Sequence, residues 1–135
     1  MSLREKTAWI TLLTVLICFG VYFGGIATGA VSPHGFDTLH LLLACVTAMA
    51  VLQLVLHAVV ARRSPKAPHD ERERLIQLRS HTVGYYVLIA GVLLLGVPGH
   101  MAYRVRDILN FALLAVVVAA LAVSAAQIVM FRRGA

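Results

Sequence analysis

The chain has 135 residues, of which 60% are hydrophobic and 13% charged, with a formal net charge of +6. Soluble domains carry about 25% charged residues, so this composition excludes a water-facing globular surface. The surplus of positive charge is read as membrane topology and attraction to anionic lipid rather than as nucleic-acid binding.

The first apolar run, residues 8–30, holds no Lys, Arg, Asp or Glu and is long enough to cross a hydrocarbon core of about 30 Å as a helix. The small-residue stretch Ala27-Thr28-Gly29-Ala30 has the look of a signal-peptide cleavage site. The apolar stretch exceeds the roughly 7–15 residues of such segments, so the run is read as a retained span. Gly20 and Gly24, and Gly25 and Gly29, form two small-xxx-small pairs, which permit close backbone approach between spans or between copies of the chain. A turn follows at Pro33-His34-Gly35, and Asp37 is placed to cap the returning helix.

The second run, 38–60, carries Ala44 and Ala48 at the same spacing. Cys45 lies inside it as Cys18 lies inside the first; a lone intramembrane pair is read as reduced packing residues. Residues 61–80 then collect most of the polar chemistry. Half of the twelve Lys/Arg and half of the six Asp/Glu lie between Arg62 and Arg79. Pro65 and Pro68 exclude a helix up to Asp70, which has capping-box spacing to Glu73. Leu75, Ile76 and Leu78 lead on without a breaker, so a helix from about Glu71 to Val97 is expected to protrude from the third span by two to three turns.

The third span is 81–98, followed by a Pro98-Gly99-His100 turn and Asp107 as a second cap. The fourth, 108–131, carries Ala112, Ala115, Ala119, Ala122 and Ala126 on one left-handed seam. The two Pro/Gly turns suggest a parallel two-fold repeat. The fold class is therefore an all-α membrane protein: one four-transmembrane-helix bundle of two helical hairpins. Arg4 and Lys6, the six cations of the central loop, and Arg132 and Arg133 fall on one side, against only Arg104 and Arg106 on the other. By the positive-inside rule both termini and the central loop are cytoplasmic, in a bacterial inner membrane.

Six histidines raise a b-type haem as an alternative, with His57 and His81 as ligands. His40 and His57 are 17 residues apart, which leaves them about 100° apart around a helix, against two stacked haems. A metal site from His69, Asp70, Glu73 and His81 is disfavoured by the arginines around it. No cofactor and no metal is expected. The chain has no nucleophile elbow, P-loop or intramembrane carboxylate pair, so catalysis is not expected, and a coupled carrier would keep ionisable groups inside its spans. A channel or transporter subunit assembled along the Gly and Ala seams is the remaining alternative. Thr11, Thr14, Gln53, Asn110, Ser124 and Gln127 are expected to bond between helices or sit at interfaces.

The segment Asp70-Glu71-Arg72-Glu73-Arg74-Leu75-Ile76, running into His81-Thr82-Val83-Gly84-Tyr85-Tyr86, resembles a family of small bacterial and archaeal membrane proteins. Those have four spans and a DER-x-R/K-x-I element before the third, and are often encoded beside a short helix-turn-helix regulator. The resemblance covers the layout and about fifteen residues of motif. It implies a membrane-embedded partner that holds such a regulator inactive. The expected function is regulatory and non-enzymatic: binding of a cytoplasmic protein through Asp70, Glu71, Arg72, Glu73, Arg74 and Arg79, where isolated charges can complement a soluble partner.

Overall fold

The computed structural model describes residues 3–29, 36–63 and 71–133, without the side chains of Asp37 and Arg106. Five helices and no strand lie among the described residues: α1 (Leu3–Ala27), α2 (Phe36–Arg63), α3 (Glu71–Leu94), α4 (Gly96–His100) and α5 (Val105–Arg133). Four stretches are long and apolar enough to cross a membrane, namely Leu3–Ala27, Thr38–Arg63, Glu71–His100 and Asp107–Arg133. Each coincides with one of the four apolar runs. Exposed large apolar side chains, such as Ile17, Val21, Leu54, Leu93 and Val116, mark every one of them. In water such surfaces would aggregate; in hydrocarbon they carry no penalty. The turn at 33–35 and the residues Pro65, Pro68, His69 and Asp70 lie outside the described residues.

The chain divides into two compact units, Met1–Ala67 and Pro68–Ala135, each a helical hairpin. In the first, Ala8, Val15 and Tyr22 recur every seven residues and are buried together with Thr14 and Phe19. On α2 the half-buried or buried positions Thr38, Leu42, Cys45, Met49, Gln53, Leu56 and Val60 step by three and four. Side chains at such spacing stay on one stripe of a helix, so α1 and α2 meet along a continuous seam. Cys18 and Cys45 are free thiols, half-buried and buried.

Of the small-residue pairs of this unit, Gly20 with Gly24 and Ala44 with Ala48 lie away from that seam. A Cβ built on Gly20 or Gly24 meets nothing within 4 Å, and Ala44 and Ala48 are exposed on the other face of α2. Larger residues already fill the α1–α2 contact, so small ones bring no closer approach there. Gly29 has a different role. It adopts φ 73° and donates to the Ile26 carbonyl at 3.3 Å, the left-handed residue that ends a helix and is cheapest as glycine.

In the second hairpin the small residues are where the helices touch. A Cβ on Gly84 would collide with Cγ2 of Val123, and one on Gly91 would lie 2.8 Å from the Ala115 Cβ. Ala119 is buried on the same face of α5. The alanine seam is thus confirmed at Ala115 and Ala119, and its partners on α3 are Gly84 and Gly91.

Two expectations about the turn need correction. Pro98 does not end the helix before His100; α4 runs from Gly96 to His100 with Pro98 inside its first turn. There its missing N–H costs little, while its ring crowds the carbonyl four residues back, at Leu94, where α3 stops. Asp107 is not a cap, because α5 starts two residues earlier, at Val105. As an acid in the first turn it still suits the helix dipole. The turn closes with the Tyr103 N–H donating to the Pro98 carbonyl at 3.4 Å around Ala102 at φ 58°. An L-residue there is strained by roughly 1–2 kcal/mol. Replacing Ala102 by Gly is expected to raise stability by about 1 kcal/mol, measured by unfolding in mixed detergent micelles.

Candidate functional site

Charge in these helices is concentrated at their ends, and the start of α3 holds the largest cluster among the described residues. Glu71 and Glu73 lie in its first turn, where carboxylates offset the positive end of the helix dipole. Nothing between Glu71 and Leu94 interrupts the helix; at 1.5 Å per residue it is about 36 Å long, longer than the hydrocarbon core of about 30 Å. Charged residues occupy it only as far as Arg79. Residues 71–79 therefore form about 13 Å of polar helix rigidly continuous with an apolar span.

The helix sorts these residues onto two faces. Glu73, Ile76, Ser80 and Gly84 step by three, four and four; Glu73 is half-buried and the other three are buried. That stripe packs on α5. Glu71, Arg72, Arg74 and Arg79 are exposed, as are Leu75 and Leu78 between them. Of the six residues expected to bind a partner, four thus share an exposed surface, Glu73 is half-buried on the same stripe as Ile76 and Ser80, and Asp70 lies outside the described residues. Leu75 and Leu78 join that surface; the sequence reading took them only as a lead into the span. Their position three residues apart beside the charges was the available signal.

One turn further in, a polar clasp ties α3 to α5. The Gln127 amide donates to Ser80 Oγ at 3.0 Å, and Ser80 Oγ donates to the Gln77 carbonyl at 2.8 Å. Ser80 is 0% exposed. The first hairpin has the same arrangement: the Gln53 amide donates to Thr14 Oγ1 at 2.9 Å, which donates to the Ile10 carbonyl at 2.7 Å. A hydroxyl is suited to this because it accepts from one helix while satisfying its proton on its own backbone. Gln53, Thr14 and Gln127 were expected to bond between helices; Ser80 was missed, because it sits in the charged segment and reads as a surface residue. Gln127→Ala is expected to cost about 0.6–1.7 kcal/mol. In a double-mutant cycle with Ser80→Ala, measured by unfolding in micelles, the two losses should be clearly non-additive; additive losses would show that the bond contributes nothing.

Four of the six histidines lie among the described residues, two in each unit. His40, His81 and His100 are exposed, and His100 Nδ1 lies 2.7 Å from the Gly96 carbonyl of its own helix. His57 is half-buried, with its Nε2 buried and unbonded. Among the described residues no three of His, Cys, Asp and Glu come together as metal ligands. Comparison with protein-family models, curated proteins and solved structures gives no match to this chain, so its function is argued from its own residues.

Proposed function

We propose that the protein is a non-enzymatic regulator in the bacterial inner membrane that binds and restrains a cytoplasmic protein at the start of α3. The observation that carries this reading is the exposed face of residues 71–79, with Leu75 and Leu78 set among Glu71, Arg72, Arg74 and Arg79. Two apolar anchors ringed by charges of both signs suit recognition of a soluble surface: the leucines supply contact area, and the charges select and orient the partner. A helix continuous with a packed span holds that face in place, so little ordering entropy is lost on binding.

Two further points support the side and the partner. Ten of the twelve cations flank the same ends of the spans, which by the positive-inside rule directs the termini and the start of α3 to the cytoplasm. The partner favoured by the DER-type resemblance is a small helix-turn-helix regulator.

Photocrosslinking from positions 75 and 78 in intact cells tests the reading, with position 93, on the exposed apolar part of the third span, as the lipid-facing comparison. One cytoplasmic protein is expected from 75 and 78 and not from 93. Purified separately, it should bind the reconstituted chain and be displaced by its own operator DNA. Adducts to lipid alone from all three positions would remove the proposed surface.

A further inference from the structure

On one flank of the second hairpin the seam between α3 and α5 opens into an apolar crevice of about 500 Å³, a volume in the range of small-molecule sites. It runs from Val87 and Val118 past Gly91 and Ala115 to Pro98 and Tyr103. From Val87 through the end of α3 to Pro98 in α4, joined by the Leu95–Gly91 and Gly99–Leu95 backbone bonds, is about 16 Å at helical rise, close to half of a hydrocarbon core of about 30 Å. The crevice therefore has the depth of one leaflet. Its wall is apolar along this whole length, and its polar atoms are few. At the turn end the Tyr103 ring, which meets the Phe111 ring edge-on at 5.9 Å, forms the rim.

Arg104 follows directly and is exposed. Together with Arg106 it stands apart from the ten cations that the charge bias accounts for, so topology does not explain it. The opposite charge nearby is Asp107, half-buried in the first turn of α5.

We propose that this crevice seats one acyl chain of an anionic phospholipid, whose phosphate is held by Arg104. The apolar wall explains the tail, its length explains a single leaflet, and Arg104, next in the chain to the lining residue Tyr103, explains the preference for negative charge. The site lies wholly in the second hairpin and does not depend on the docking surface at the start of α3.

Native mass spectrometry of the detergent-purified chain, titrated with phosphatidylglycerol or phosphatidylcholine of matched chains, tests it. One phosphatidylglycerol per chain is expected to bind in preference. Arg104→Gln should weaken that binding about fivefold, the effect of one cation at the membrane surface, and weaken phosphatidylcholine, whose choline already offsets its phosphate, much less. Val118→Trp, which fills the crevice, should abolish both, whereas Val116→Trp, exposed but outside the lining, should abolish neither. If Val118→Trp fails to fold, Arg104→Gln alone carries the test. Unchanged selectivity in Arg104→Gln, equal effects of the two tryptophans, or a second copy of the chain in place of lipid would overturn the proposal.

Discussion

Gly84→Ala is expected to destabilise the second hairpin by about 1–3 kcal/mol, the cost of overpacking a close contact. The new methyl would occupy the position of Val123 Cγ2, and a valine in a helix has one strongly preferred rotamer, so it cannot swing aside freely. Truncating the obstacle should restore most of the loss: Gly84→Ala with Val123→Ala is expected to be more stable than Gly84→Ala alone. Gly91→Ala should be harder to accommodate. Its obstacle is the Ala115 Cβ at 2.8 Å, with Cα at 3.5 Å behind it, and a methyl on the backbone has no rotamer to change. Relief then requires the helices to separate, or Ala115→Gly. Unfolding of the four variants in mixed micelles checks this; a Gly84→Ala chain as stable as the parent, or no recovery in the double variant, would mean that α3 and α5 are not held at this distance.

The Leu75→Asp, Leu78→Asp double variant is expected to reduce binding of the cytoplasmic partner by roughly thirtyfold or more, the loss typical of removing an interface hot spot. Hairpin stability should change little, because both leucines are more than half exposed, at 53% and 57%, and the α5-facing stripe of Ile76 and Ser80 is untouched. Glu71→Lys acts differently. As a rim charge it should slow association and alter its salt dependence more than it changes dissociation. Glu73, half-buried on the stripe of Ile76 and Ser80, should affect stability as well as binding when reversed. The readout is surface-based binding of the crosslinked protein to nanodiscs holding each variant. Equal affinity for the parent and the double leucine variant would falsify the docking surface.

These predictions separate what could be read from the chain from what could not. Four runs without charge between residues 8 and 131 determine by themselves four helices long and apolar enough to cross a membrane, where each backbone polar group would have to be bonded within its own helix. The charged ends of those runs and the uninterrupted helix from Glu71 into the third run follow from equally local rules. Partnership between helices does not. Gly20 and Gly24 carry the same spacing signal as any packing motif, yet face open space within their hairpin, while Gly84 and Gly91, seven apart, are where α3 and α5 touch.

Spacing tells which residues share a face; it does not tell what that face meets, since every face of these helices is apolar enough to lie against lipid. Only the pairing of the helices decided that Ser80 is a buried clasp rather than a surface hydroxyl. Pairing likewise left Glu73 half-buried and Leu75 and Leu78 exposed, and opened the crevice beside Ala115. In water, burial of apolar residues would have announced these contacts in advance. In a membrane the same residues are at ease on either side, and the choice falls to shape and to a few hydrogen bonds between helices.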